Sequence, residues 1–228
     1  MATTFLQGVN LTRLECGITS GDISTLVGVT GKNLQIKNWY SRAWQDVQRV
    51  HANWEWMRSS FSFATVANQQ DYTATQAGAT NYGKWMPETF RNTITAQGYT
   101  SELWIEEWDW ETFRNNYVFG AQRTVTGRPV VFAIRPNKSI AIGPLPNATG
   151  YTCTGDYYTS ALALSADADV PGLPDQFVDI IMHKAKMYYG QEEAAQEVYN
   201  GGMADYERML AELECDQLPD IDLGGPLV

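Results

Sequence analysis

Four carboxylates crowd one short stretch, Glu106, Glu107, Asp109 and Glu111, set among Trp104, Trp108 and Trp110. Glycoside hydrolysis needs two carboxyls held about 5 to 10 Å apart, and tryptophans stack on sugar rings near such pairs. The same string arises without an active site when neighbouring acids line the wet side of a short amphipathic turn and the tryptophans face inward. That is the simpler reading, and it designates no catalytic residue.

The other reactive groups are sparse. The two histidines, His51 and His183, belong to no HExxH and have no second ligand three or four residues away, so no metal site is expected. No GxSxG elbow occurs. Gly31-Lys32-Asn33 lacks both the earlier glycine and the following Ser or Thr of a phosphate-binding loop, so neither nucleotide hydrolysis nor a cofactor is expected. Cys16, Cys153 and Cys215 are odd in number and show no CxxC spacing, the pattern of ordinary reduced thiols.

Charge is more informative. The net charge is -10, yet residues 191–228 hold ten acids against the single base Arg208, leaving 16 acids and 15 bases for the rest. Nucleic-acid affinity comes mainly from Lys and Arg displacing counterions at phosphates, and no basic stripe with interleaved aromatics is present. Tight DNA binding is therefore not expected. The acidic end reads as a solvated helix face, or as a surface that repels DNA or meets a basic partner. No run of about 18 apolar residues suggests a membrane span, and the start lacks the pattern of a secretory signal, so synthesis and folding in a cytoplasm are expected.

These groups must be positioned by elements that the periodicity reveals. A short helix is predicted over residues 4–15, with Phe5 and Val9 on one side, followed by a Gly- and Thr-rich loop to Gly31. Ile36, Trp39, Tyr40, Ala43, Trp44, Val47, Val50 and Trp54 then recur at three- and four-residue steps, predicting a long helix that starts at a Thr30 or Asn33 cap and ends near Trp56. From Phe61 the period falls to two. Strands are predicted around Phe61–Thr65 and Tyr72, as a hairpin of residues 89–96 and 102–105 about Gln97-Gly98, and over residues 129–134, 139–142 and 149–158. Helical spacing returns after Pro174-Asp175, with Val178, Ile181, Ala185 and Tyr188 buried and Gly190 as a stop. A last helix is predicted over residues 192–214, with a kink or break at Gly201-Gly202. The final stretch has no period.

Helices bracketing a β segment predict an α+β protein, a helical bundle formed by the N- and C-terminal helices with a β-rich insertion between them. The expected division is 1–58 for the first helices, 59–172 for the insertion, 173–214 for the last helices and 215–228 for an extended tail.

Several ordered landmarks carry a resemblance. They are the tryptophan-rich exit of the long helix (Trp54-Glu55-Trp56), Asp71-Tyr72, Thr126-Gly127-Arg128-Pro129, Pro144-Leu145-Pro146 before a Tyr-rich strand (Tyr151, Tyr157, Tyr158), and the Ala-Asp-x-Asp-x-Pro-x-Leu-Pro run ending at Pro174. Together they resemble the head-to-tail adaptor (portal-adaptor, head-tail connector) proteins of tailed bacteriophages. The resemblance implies a structural virion protein at the head-tail junction, assembled as a homo-oligomeric ring of twelve copies. Its partners would be the portal protein and tail nozzle or other tail proteins, with DNA only passing through the channel. It also implies a C-terminal segment lying along the portal, with Leu218, Pro219, Ile221 and Leu223 as contact candidates. The acidic last helix would border the channel through Glu197, Asp205, Glu212 and Glu214, its uniform charge letting a duplex slide. Two alternatives remain open: a peptidoglycan-degrading tail-associated hydrolase built on the Glu106–Glu111 cluster, and a glycan-binding tail component using the eight tryptophans.

Overall fold

The computed structural model describes residues 3–19, 21–147 and 150–218. Along the chain run α1 (Phe5–Glu15), α2 (Gly31–Val50), β1 (Arg58–Ala64), β2 (Asp71–Tyr72), β3 (Tyr82–Ile94), β4 (Leu103–Trp104) and β5 (Glu106–Glu107). They are followed by α3 (Trp110–Phe113), a π-helical turn (Arg114–Val118), β6 (Thr126–Gly127), β7 (Val131–Ile134), β8 (Ile140–Gly143), β9 (Leu145–Pro146), β10 (Tyr151–Thr159), α4 (Asp179–Glu192) and α5 (Gln196–Gln217). The fold is α+β, helical at both ends and β-rich between them. It divides into a helical unit, residues 1–57 with 161–228, and a β unit, residues 58–160.

In the helical unit, α1 opens on a capping box. The Thr4 N–H donates to Gln7 Oε1 (2.9 Å) and the Gln7 N–H donates to Thr4 Oγ1 (3.3 Å), satisfying amides that the first helical turn leaves unpaired. Gly8 sits where α1 meets α2, since a β-carbon there would lie 2.2 Å from the Tyr40 hydroxyl. The predicted stripe of α2 is buried at Ile36, Tyr40, Ala43, Trp44 and Val47, while Trp39 is half-buried and Val50 exposed.

The helix stops at Val50, six residues short of the expected end near Trp56. Trp54 is nonetheless fully buried, because it folds back and its indole Nε1 donates to the Val47 carbonyl at 3.1 Å. A helix leaves its last four carbonyls without amide partners, and Trp54 serves one of them. Its spacing therefore matched a helix that it in fact terminates. The chain re-enters the unit on Gln48, which is 4% exposed, donates to Leu162 O and accepts from Leu162 N, both at 2.9 Å. The Ala-Asp-x-Asp run has a similar duty. Asp167 accepts from Thr25 Oγ1 (2.6 Å) and Leu26 N (2.9 Å), and Asp169 from Ser165 N (2.7 Å) and Ala166 N (2.8 Å). These donors hold both carboxyls below the usual carboxylate range.

The glycines of α4 and α5 do not act as breakers. Helix α4 passes through Gly190 to Glu192, and α5 begins at Gln196 and runs unbroken through Gly201-Gly202 to Gln217. A β-carbon on Gly190 would come within 2.7 Å of Tyr199 N, and one on Gly202 within 3.0 Å of His183 O and 3.1 Å of Lys186 Cβ. Both residues let the two helices approach closely. Gly201 meets nothing within 4 Å. Gly201→Ala should accordingly raise stability by up to about 1 kcal/mol through helix propensity. Gly202→Val should lower it by about 1–3 kcal/mol through overpacking. Urea denaturation of the two variants reads the opposite signs.

The β unit has three layers. Strands β1-β10-β3-β4 form one antiparallel sheet and β2-β8-β7-β5 a second, in which β5 runs parallel to β7; β6 and β9 form a small parallel pair. Phe61, Phe63, Trp85, Phe90, Cys153 and Tyr157 of the first sheet share a core with Tyr72, Phe132, Ile140 and Ile142 of the second. Successive side chains on a strand point to opposite faces. Val131, Ala133 and Ala141 therefore face away from that core, against Phe113 and the half-buried Trp108, Trp110 and Tyr117 of the third layer. Buried Ile105 lies where the chain passes from β4 in one sheet to β5 in the other.

Candidate assembly surfaces

The four acids expected to border a channel are spread over α5. At about 100° per residue, Glu197, Asp205 and Glu212 fall within one arc of about 80°, whereas Glu214 lies on the opposite flank. Glu214 accepts a 2.8 Å hydrogen bond from His51 Nε2 at the exit of α2. Asp205 stands 3.8 Å from Arg208 and 3.7 Å from His183, and Glu212 lies 3.2 Å from Arg208. Glu197 is exposed. Asp205 and Glu212 thus have part of their charge answered by Arg208 and Glu214 is hydrogen-bonded within the subunit, so the helix offers an acidic strip rather than a uniform wall. The helix also extends past the expected tail boundary. Leu218 is its C-cap, donating from its N–H to Glu214 O at 3.1 Å. Pro219, Ile221 and Leu223 lie outside the described residues.

His183 gives the helical unit a pH response. Its Nδ1 is buried without a hydrogen-bond partner, and Asp205 is too distant to accept from it. Burial first, then the neighbouring Lys186, pull its pKa below the ordinary 6.5, with Asp205 opposing. The unfolded chain therefore binds the proton more readily. Stability is intact above about pH 6.5 and declines as the pH falls through that value toward the lower folded-state pKa. His183→Gln should flatten this part of the stability profile, measured by thermal melts between pH 7.5 and 5.

The net charge follows the unit boundary. Residues 58–160 carry eight bases and eight acids, while the helical unit carries eight bases and eighteen acids, the whole of the -10.

On the neutral β unit, a groove of about 560 Å³ crosses the face of the first sheet turned away from the core. Ser60 and Ser62 (β1), Thr154 and Asp156 (β10), Thr89 and Arg91 (β3), and Glu102 and Trp104 line it. Its floor is made by Gly155. The β10–β3 register shifts between Thr154 and Asp156, and a β-carbon on Gly155 would lie 2.6 Å from Phe90 and 2.9 Å from Phe61. A bulge of this kind bends a strand and opens the surface above it. Ion pairs stand at both ends: Arg58 Nε with Asp156 at 2.9 Å, and Arg91 with Glu102 at 3.1 Å. The Arg91 guanidinium also lies 4.2 Å from the Trp104 ring centroid. Trp104 is 62% exposed, so the expectation that the tryptophans near the acid cluster face inward fails for it. Arg128 braces the turn before β4, donating to Asn92 Oδ1 (2.9 Å), Asn92 O (2.6 Å) and Ser101 O.

The Glu106–Glu111 cluster does not converge. Glu106 and Glu107 are consecutive on β5 and so project to opposite faces. Asp109 caps α3, accepting from Glu111 N at 3.0 Å and Thr112 N at 3.2 Å, and Glu111 pairs with Arg114 at 3.1 Å. Glu107 has a raised pKa, from partial burial and then nearby Glu88. Among the described residues, no group of three or more His, Cys, Asp or Glu is placed to hold a metal, and no helix is long and apolar enough to cross a membrane.

Sequence reasoning missed the groove. An isolated glycine in the alternating Tyr151–Thr159 strand was its one available signal.

No curated protein matches the chain significantly. The family described as SU10 adaptor protein matches residues 18–227, a span that takes in every landmark of the resemblance, the whole β unit and the helical unit from residue 18 on. The chain belongs to the SU10 adaptor protein family and is a structural, adaptor-type protein of a phage particle.

Proposed function

We propose that the chain is the subunit of an adaptor ring that joins the portal to the tail and extends the DNA channel. Twelve copies would match the portal's symmetry, with the tail nozzle or other tail proteins docking on the far side. The family match over residues 18–227 carries this reading. The charge distribution supports it, because an acidic helical unit beside the channel repels phosphates and lets the duplex pass without holding it. Within the acidic strip, Glu197 is exposed and Glu212 shares Arg208, so Glu197 contributes most to that repulsion among the four candidates. The anchor on the portal is the C-terminal segment with Leu218, Pro219, Ile221 and Leu223, which leaves the end of α5.

Co-assembly tests the proposal. Mixed with purified cognate portal, the chain should form a ring stacked coaxially on it in negative-stain class averages. A chain that stays apart from portal at micromolar concentrations would remove the adaptor role.

A further inference from the structure

We propose that the seam between neighbouring ring subunits runs through the β unit, with Phe119 of one copy seated in the groove beside Trp104 of the next. The inference rests on the ring reading above and names the contact that would build it.

A closed ring needs two different patches on the same molecule, placed so that each copy's first patch meets its neighbour's second. The β unit has such a pair on opposite sides of its three layers. Phe61 and Phe63 face the core, so Ser60 and Ser62, and the groove they line, face away from the second sheet. Phe119 follows the π-helical turn in the layer beyond that second sheet, is 65% exposed and has the Arg114 guanidinium 5.0 Å from its ring. One patch is concave and the other ends in a protruding ring. Trp, Tyr and Arg dominate the energetics of protein interfaces, and each patch pairs an exposed aromatic with an arginine.

Charge favours a second copy at this seam. Helical units in mutual contact would bring a net -10 against a net -10, whereas the β unit balances eight bases with eight acids. Because the arginines of the groove already pair with Asp156 and Glu102, a neutral aromatic enters without leaving a charge unanswered.

Ring assembly on portal provides the test, scored by mass photometry and electron microscopy. Trp104→Ala and Phe119→Ala should each raise the concentration needed for ring formation at least tenfold. Both should keep the wild-type melting temperature, since both side chains are exposed. In a Cys215→Ser background, Ser62→Cys in the groove combined with Ala121→Cys beside Phe119, which keep both aromatics, should give, on mild oxidation of assembled rings, a ladder of cross-linked multimers that neither single variant gives. Rings that form at wild-type concentrations from both alanine variants, or formed rings that yield no ladder, would overturn the seam and leave the ring reading standing. Absence of rings from the unmodified chain with portal would instead overturn the ring reading.

Discussion

Trp85→Ala should cost the β unit about 3–5 kcal/mol, a large share of the roughly 5–15 kcal/mol that holds a domain folded. Trp85 is 2% exposed and stands at the centre of an aromatic cluster, with ring centroids 4.4 Å from Tyr82, 5.0 Å from Phe61, 5.9 Å from Phe90 and 6.0 Å from Tyr157. Its Nε1 donates to Lys138 O at 2.8 Å. Truncation would open a cavity that neighbours held by strand pairing cannot fill, and would leave a carbonyl without its donor. The urea midpoint of the far-UV transition measures the loss. Trp104→Ala, at an exposed position, should move it by less than about 0.5 kcal/mol. An equal effect at both positions would contradict the packing described for the sheets.

Ending the chain after Leu218 should weaken binding to the portal by 100-fold or more while leaving the melting temperature unchanged. Helix α5 and its C-cap survive this truncation, because the cap bond runs from Leu218 N to Glu214 O. The truncation removes Ile221 and Leu223. Burying two such side chains against a partner contributes about 3–6 kcal/mol, and each 1.4 kcal/mol is a factor of ten in affinity. Biolayer interferometry on immobilised portal, comparing the full chain with the truncated one, gives the ratio. Undiminished binding would place the anchor elsewhere on the chain.

What the residues disclosed depended on the range of the forces involved. The Phe5–Val9 side of the first helix, the Ile36–Val47 stripe and the alternation around Phe61–Phe63 are local patterns, and the structure contains each of them. The departures are tertiary. Trp54 keeps helical spacing because a buried indole folding back onto a terminal carbonyl occupies nearly the place that a further helical turn would give it. Gly190, Gly201 and Gly202 look alike as propensity penalties, yet Gly190 and Gly202 are contact points and Gly201 is not; only the neighbouring helix distinguishes them. Trp104 and Trp85 are likewise the same residue type, in strands of one sheet, on opposite faces. The groove needed Gly155, Arg91 and Trp104 to come together from three strands, one of them after the chain had reversed at Gln97-Gly98. The acidic last helix was plain from composition, but the pairing of Asp205 and Glu212 with Arg208, and the hydrogen bond of Glu214 to His51, were not.

The central claim is that this chain forms a ring between portal and tail, and imaging the neck of purified phage particles tests it most directly. A symmetry-resolved reconstruction, with quantitative mass spectrometry of the same particles, should place the chain immediately below the portal in a copy number equal to the portal's. A neck whose density at that level belongs to another protein, or particles from which the chain is missing, would contradict the account.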